Sequence, residues 1–487
     1  MASPGVRTVR TYEEAVEVIG LGYAQLQTAI LAYGVWVADG IELSLVFSLV
    51  SPISKDLQLN WHQRAALPSV VFFGLALGGV MCRYGDTYGR RRPILLSYYG
   101  TIAATLLMAM THSFLVMVML RVVFGIFMGV GMATSLALVN EVCPQRYRMA
   151  AVGFRGVLYA VGGGLGALII ALDDASLQNL SWRKDLAVSA LLPACLGVWA
   201  TVSLHESLMF SSLNGRTDEA NENLEWMATR NGLAPGSIRV EEAKVASMEA
   251  AAEVAAAAPG GDALGSRNRS WLELVGVAFN RHYAASTICL SLLCFVSNLV
   301  EYGCQYAEPL VLPKTHASVA AGWQMVSKAT LNIPIRIGIM AFGLIAPETI
   351  TLVLTYGVVM APSMMMFALT AAVSDRAWWQ ELLYYCGLYI PLVAISVQYM
   401  VLYKAAADMH PPVAAATRAG IVIGVGRAGS MVAPFVFEVF RHNWVNFYIV
   451  LTAASVLAAV VAGVVPNAVG PFTSLEDAAA SKPLAGS

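Results

Sequence analysis

Residues 115–139 read LVMVMLRVVFGIFMGVGMATSLALV, and Arg121 is the single charged residue in this run. A helix that crosses the hydrocarbon core of a bilayer needs about 20 mostly apolar residues. All of its backbone amides must bond within the helix, because no water is available there. The run therefore predicts a membrane-spanning helix, and it sets the fold class of the chain if similar runs recur.

Similar apolar runs recur along the whole chain. They cover residues 30–50, 65–82, 94–110, 150–172, 186–204, 284–302, 319–345, 350–373, 382–403, 413–440 and 445–465. Of the 487 residues, 57% are hydrophobic and 13% are charged, and the mean hydropathy is +0.64, which excludes an ordinary soluble enzyme. We predict an all-α membrane protein with about twelve transmembrane helices in two pseudo-symmetric six-helix bundles.

The charge distribution divides the chain into five parts. We predict a cytoplasmic N-terminal segment over 1–26, a six-helix bundle over 27–205, a cytoplasmic connector over 206–282, a second bundle over 283–466 and a cytoplasmic tail over 467–487. The orientation rests on the short loops that contain Arg90 and Arg148, because loops rich in Arg and Lys stay in the cytoplasm. Within the connector, a short amphipathic helix is predicted from Thr217 or Asp218 through Arg230.

An internal repeat supports two bundles of similar build. Residues Glu141, Pro144 and Gly153 return as Asp408, Pro411 and Gly420, each 267 positions later. Parallel halves related by an axis along the membrane normal describe a known class of secondary carrier, in which the solute site lies between the halves.

Two acids interrupt the first apolar run, at Asp39 and Glu42. Three residues apart, they share one face of a helix. Acids at this depth cost about 2.5–3.5 kcal/mol even on lenient scales, so they should face a partner or a hydrated cavity. We predict that Asp39 exchanges protons or binds a solute cation, with Arg121 as its basic partner. A purely structural salt bridge is the alternative.

The seventh predicted helix carries a second polar group. Asn298, Glu301 and Tyr302 span one turn, and Glu301 raises the same cost argument as Asp39. They are predicted to line the solute cavity from the second half. Hydrogen bonding between packed helices is the alternative for Asn298 and Tyr302.

The most specific string in the chain is Gly85-Asp86-Thr87-Tyr88-Gly89-Arg90-Arg91-Arg92-Pro93. It resembles the loop between the second and third helices of the major facilitator superfamily, where an Asp, a Gly and a basic cluster latch the cytoplasmic gate. Further strings resemble the sugar-porter branch of that family: 121–129, 141–148, 182–183, 205–207 and 426–429. The resemblance implies a gating role for Gly85, Asp86, Gly89, Arg90, Arg91, Glu141, Arg148, Glu206, Asp408 and Arg427.

Within that branch, residues 38–42 and 297–303 look more like synaptic-vesicle-2-related and organic-ion or aromatic-acid carriers than like hexose porters. The resemblance implies transport of a small organic ion or related metabolite by alternating access, coupled to protons. Departures from the family pattern include Cys82, Thr87, Ala415 and a loop over 346–349 without arginines. They leave open a non-transporting scaffold or receptor of vesicles, with the connector contacting other proteins.

The expected partners follow from this interpretation. They are a small-molecule solute, protons and the lipid bilayer of the plasma membrane or an intracellular vesicle. The formal net charge of -1 argues against a nucleic-acid partner, because phosphate binding needs a concentrated basic face. No cofactor and no enzymatic motif is expected, and the chain is expected to be a monomer.

Overall fold

The computed structural model describes residues 7–9, 11–81, 88–240, 284–342, 348–408 and 412–469. By its internal contacts the chain divides into two units. The first unit contains residues 1–264 and 305–340, and the second contains residues 265–304 and 341–487. Each unit is a bundle of long apolar helices.

The first unit holds most of the first half of the chain. Its long helices are α2 (Tyr23–Asp56), α3 (Trp61–Val80), α4 (Arg91–Met110), α5 (Phe114–Val142), α6 (Arg148–Asp173), α7 (Trp182–Ser189) and α8 (Leu191–Ser203). Helices α7 and α8 together form one membrane span that is interrupted at Ala190. Helix α2 is the most enclosed, because 83% of its apolar window is buried.

Close helix contacts in this unit depend on glycine. Gly74 on α3 faces Gly125 on α5, and Gly78 faces Gly129 in the same way one turn along. A Cβ added at Gly74 or Gly125 would overlap a backbone carbonyl of the other helix. The two helices can therefore approach to backbone contact, which is how small residues pack membrane helices.

The N-terminal segment packs against the connector. Strand β1 (Arg7–Val9) pairs in parallel with β2 (Ile238–Val240), and helix α1 (Tyr12–Ile19) begins at Thr11, whose side chain accepts from the amide of Glu14. The connector contributes α9 (Leu208–Leu213) and α10 (Thr217–Arg230). The predicted connector helix is confirmed, with Ala220, Leu224 and Met227 buried on one face.

The second half of the chain contributes α11 (Ala284–Val311), α12 (Ala321–Phe342), α13 (Glu348–Val353), α14 (Ala361–Ala371), α15 (Trp378–Asp408), α16 (Pro412–Val439) and α17 (Trp444–Val469). A π-helical segment, Leu354–Met360, joins α13 to α14. In the second unit the core between α14, α15 and α17 is aromatic, with Phe367 against both Tyr384 and Tyr448.

Among the described residues, eleven helices are long and apolar enough to cross a membrane. The twelfth long helix is α12, whose apolar sequence is interrupted every fourth residue by Gln324, Lys328, Asn332 and Arg336. The fold class predicted from the sequence is confirmed: the chain is a multi-pass, mostly helical membrane protein.

Residues 305–340 belong by contact to the first unit, although the sequence places them in the bundle predicted over 283–466. The reason is that α12 runs antiparallel along α6. Gly322 meets Ala171 and Ala175, Ala329 lies at Gly164, and Arg336 reaches Gly156. The five predicted domain boundaries stay a prediction, and residues 241–282 of the connector and 470–487 of the tail lie outside the described residues.

Candidate functional site

A buried ion pair lies at the centre of the first unit. Arg121 Nη1 on α5 donates to Glu42 Oε1 on α2 at 2.5 Å, and the two side chains are 0% and 4% exposed. Within the part of the chain that the structure describes, Nε and Nη2 of Arg121 have no hydrogen-bond partner. The pair is therefore enclosed but only partly satisfied, so the guanidinium keeps donors for a second group.

The predicted pairing of Arg121 with Asp39 is wrong. Residues three apart on a helix are separated by about 60° around the axis and about 4.5 Å along it. An arginine at hydrogen-bond distance from Glu42 is thus displaced from Asp39. Asp39 is 4% exposed and buried, in agreement with a carboxylate that avoids lipid.

The chemistry available to this pair is a change of protonation. A buried carboxylate facing a guanidinium can stay ionised, whereas protonation of the carboxylate removes the charge that holds the arginine. A guanidinium is effectively always protonated, so the carboxylate is the partner that titrates. The two states of the pair therefore differ by one proton on Glu42.

Four predicted gating residues meet at one end of the first unit, called here the Arg90 end. Arg90 bonds Glu141 Oε1 through Nε at 3.2 Å and through Nη2 at 3.1 Å. Glu206 accepts from the backbone amides of Arg90 at 2.6 Å and of Arg91 at 3.2 Å. The Glu206 carboxylate thereby holds the beginning of α4, where a negative charge is favourable.

Gly89 makes this contact possible. Its φ is +93°, a left-handed conformation, and a Cβ at this position would overlap the carboxylate of Glu206. Both observations require glycine here. Gly85 and Asp86, the other predicted gating residues of this loop, lie outside the described residues.

The remaining predicted gating residues are more scattered. Arg148 donates from Nε to the carbonyl of Cys143 at 3.4 Å, and Cys143 follows Glu141 by two residues in the sequence. Burial raises the pKa of the Cys143 thiol to about 11, although Arg148 opposes the shift. Asp408 ends α15, and its side chain is outside the described part.

The gating role of Arg427 stays a prediction, and the structure places this residue away from the loops. It lies in the middle of α16 and donates from Nη1 to the hydroxyl of Tyr302 at 3.1 Å. Its position is separated from the loops by about three to four turns on each side. Arg427 therefore belongs with the polar residues of α11 instead of with the loop residues.

In the second unit, the amide of Asn298 is used for packing between helices. Its Nδ2 donates to the carbonyl of Cys294 at 2.8 Å, and its Oδ1 accepts from Ser430 Oγ on α16 at 2.9 Å. Glu301 is half-buried one turn away on α11. The roles predicted for Asn298, Glu301 and Tyr302 in solute binding stay predictions.

Sequence reasoning missed a cationic and aromatic cluster in the first unit. The guanidinium carbon of Arg155 on α6 lies 4.4 Å from the ring centroid of Trp36 on α2. That of Arg336 on α12 lies 5.5 Å from the ring centroid of Tyr159 on α6. Trp36 also donates from Nε1 to Ser135 Oγ at 3.3 Å.

The signal for this cluster was present in the sequence. Arg155 interrupts the apolar run 150–172, and the cost argument applied to Asp39 holds for it equally. Only the pairing of α6 with α12 brings Arg336 to the part of α6 that contains Gly156 and Tyr159, next to Arg155.

Helices α11 and α12 carry one further ion pair in the first unit, and Arg336 is hydrogen-bonded within α12. Lys328 Nζ bonds Glu308 Oε1, and Arg336 Nε donates to Asn332 Oδ1 at 3.1 Å. Among the described residues, no group of three His, Cys, Asp or Glu side chains could hold a metal ion.

Comparison with known proteins agrees with this architecture. The sequence model described as Major Facilitator Superfamily matches residues 31–434. The Synaptic vesicle 2-related protein of Rattus norvegicus is 30% identical over 224 residues, which is 45% of this chain and 39% of that protein. The protein of the same name from Bos taurus aligns to the same extent. The alignments span less than half the length of these curated relatives.

Solved structures share the fold. The inward open conformation of the xylose transporter XylE from E. coli superposes with a TM-score of 0.69 over 94% of this chain and 99% of that chain, at 14% identity. Its partially occluded inward open conformation gives a TM-score of 0.67 over 90% of this chain and 98% of that chain, at 12% identity.

Proposed function

Because the chain belongs to the Major Facilitator Superfamily, a family of membrane transporters, we propose that it is a secondary carrier for a small organic ion. The carrier works by alternating access and uses a proton gradient. Another solved structure with this fold, at a TM-score of 0.59 and 14% identity, is described as a proton:xylose symporter. That description supports proton coupling as a hypothesis for this chain and leaves the solute open.

The buried pair of Glu42 and Arg121 is the observation that carries the proposal. A fully buried ion pair is a poor way to stabilise a protein, since apolar residues of similar volume stabilise as well or better. Its retention inside a bundle is explained if the charge of Glu42 changes during the transport cycle. Protonation of Glu42 would release Arg121, and deprotonation would recapture it, which gives the two states that coupling requires.

The cluster of Arg155, Arg336, Trp36 and Tyr159 supports a proposal about the charge of the solute. A guanidinium binds a carboxylate through two parallel hydrogen bonds, and the faces of Trp36 and Tyr159 suit a flat apolar body. Arg155 and Arg336 approach this region from α6 and α12. We therefore propose that the organic ion is an anion, and an organic cation held by Asp39 is the alternative.

The test of transport uses purified protein in proteoliposomes. Uptake of labelled organic acids, organic cations and sugars is measured with an inwardly directed proton gradient and again without one. We expect organic acid uptake that depends on the gradient. A flat response to all three classes would favour the non-transporting scaffold.

The role of the acids is tested with Asp39→Asn and Glu42→Gln at matched expression. We expect Glu42→Gln to abolish accumulation driven by protons, because an amide cannot cycle between charged and neutral forms. A scaffold would lose nothing in either variant. Wild-type accumulation in Glu42→Gln would contradict the coupling role.

The anion site is tested with Arg336→Gln. We expect the KM for an organic acid to rise about ten- to hundredfold, the effect of losing a charge-assisted hydrogen bond of about 1.5–3 kcal/mol. Arg230→Gln is the matched control, because Arg230 also stacks on a ring, that of Tyr23, at 5.0 Å. Equal KM values in both variants would argue against the anion site.

A further inference from the structure

The span formed by α7 and α8 is broken near the middle of the first unit. Helix α7 ends at Ser189 and α8 begins at Leu191, with Pro193 in its first turn. Proline has no amide hydrogen, so it cannot bond the carbonyl of Ser189 four residues earlier. The break therefore leaves the carbonyl oxygen of Ser189 without the hydrogen bond that it would accept in a continuous helix.

A cavity lies beside this break. It is small, with a volume of about 10 Å³, close to the least that holds one water molecule. Its polar lining residues are Glu42 on α2, Thr101 and Thr105 on α4, and Ser189. A space with several polar partners can hold ordered water, whereas a purely apolar one stays dry. Glu42 therefore faces Arg121 on one side and a polar cavity on the other.

Asp185 lies one turn before Ser189 on the same face of α7. Its side chain is buried, with the residue 1% exposed, and its Oδ2 has no hydrogen-bond partner among the described residues. The position of α7 relative to α4 is shown by Arg183, which donates from Nη2 to the carbonyl of Thr111, just after the end of α4. From there α7 runs antiparallel to α4, which brings Ser189 to the level of Thr105.

The charges around Asp185 come from each helix that packs on α7. Asp173 at the end of α6 bonds Lys184 at 2.8 Å, and Asp56 at the end of α2 bonds Arg183 at 2.6 Å. Helix α4 has its charged residues at its opposite end, and α8 has none. The nearby cations are thus bound to other carboxylates. Carboxyl groups withdrawn from water near a like charge are those that exchange protons close to neutral pH.

We propose that Asp185, Ser189 and the cavity lined by Thr101 and Thr105 form a proton path that reaches Glu42 from the end of the first unit opposite Arg90. Asp185 gives its proton to a water in the cavity, and that water passes one of its own protons to the Glu42 carboxylate. Solvent at the Asp174 loop then returns a proton to Asp185. This inference rests on the proposed proton coupling, and it adds a second titrating carboxyl group and an entry route.

The test separates proton-driven accumulation from solute exchange, which needs no net proton movement. We expect Asp185→Asn to slow accumulation by about a hundredfold or more, the low side of what a proton-transfer group contributes. Exchange should stay within about twofold of wild type, since the solute site is unchanged. Asp218→Asn is the matched control, because it is the same substitution at an exposed position of the connector, away from α7 and the cavity.

Accumulation at the wild-type rate in Asp185→Asn would overturn the inference. An equal loss of accumulation and exchange would also overturn it, because that pattern means a structural defect. Thr105→Val and Ser189→Ala, which keep the volume but remove a hydroxyl, should each slow accumulation and spare exchange.

A second measurement does not depend on transport. Infrared difference spectra of the purified protein are recorded during a pH titration, and the carboxyl band that is lost in Asp185→Asn is assigned to Asp185. We expect the titration midpoint of this band to shift in Glu42→Gln, because linked carboxyl groups titrate as a pair. An unshifted midpoint would overturn the link. Absence of all flux in the wild type would instead count against the carrier function.

Discussion

At the scale of single residues, Glu42 and Arg121 each neutralise the buried charge of the other. Removing one member of a buried ion pair leaves an uncompensated charge, which costs about 3–5 kcal/mol. We therefore expect Glu42→Gln to lower the thermal unfolding midpoint in detergent strongly. The double variant Glu42→Gln with Arg121→Met should be more stable than Glu42→Gln alone. A double variant that is less stable than the single would contradict the buried pair.

Gly89 gives a second prediction at this scale. Gly89→Ala should destabilise the protein by about 1–2 kcal/mol from backbone strain alone, because left-handed conformations disfavour a Cβ. Displacement of Glu206 from the start of α4 adds to this loss. The control is Gly79→Ala in α3, where an added Cβ meets open space. In a helix, alanine is favoured over glycine by about 0.5–1 kcal/mol, so the control should be neutral or stabilising.

At the scale of elements, α6 and α12 are held together by small residues. A Cβ built on Gly164 lies 3.9 Å from the Cβ of Ala329. Disulfides join Cβ atoms about 3.5–4.5 Å apart, so Gly164→Cys with Ala329→Cys should cross-link under a mild oxidant. The control is Gly163→Cys with Ala329→Cys, because a Cβ at Gly163 approaches Gly40 on α2. Equal cross-linking of both pairs, read on gels, would contradict the register.

The contact between the end of α8 and α10 predicts a pH effect. His205 stacks on Trp226 with ring centroids 4.0 Å apart. Burial lowers the pKa of His205, and the neighbouring Arg91 lowers it further. The folded protein then binds fewer protons at His205 than the unfolded chain does, so stability falls as pH drops below about 6.5.

We expect His205→Gln to reduce this pH dependence of the unfolding midpoint. The measurement is a series of thermal scans between about pH 5 and pH 8, where an unperturbed histidine changes its charge. Parallel curves for wild type and His205→Gln would contradict the assignment.

For the whole molecule, the testable property is orientation in the membrane. Asn179 is exposed in the loop between α6 and α7, and Asp218 is exposed in the connector. The positive charge of the loops at the Arg90 end predicts that this end is cytoplasmic. In a background without native cysteines, Asn179→Cys should react with an impermeant maleimide from outside the cell. Asp218→Cys should react only after the membrane is opened, and the reverse pattern would invert the topology.

How far the site could be predicted differs from residue to residue. The cost of burying charge singled out Asp39, Glu42 and Arg121, because that cost is a property of the residue and its depth. It could not choose between Asp39 and Glu42 as partner, since both lie on one helix face. The choice depends on how far α5 is shifted along α2. That shift results from the packing of the two helices and cannot be read from the sequence of either one.

The fold itself was largely determined by the sequence. Apolar runs of sufficient length must become helices in a bilayer, because unpaired backbone amides are too costly there. The tertiary structure alone decided that residues 305–340 belong to the first unit, that the span of α7 and α8 breaks at Ala190, and that Arg155 and Arg336 contact aromatic rings. Such features arise when distant segments approach, and their free energy depends on packing and desolvation between residues far apart in the chain.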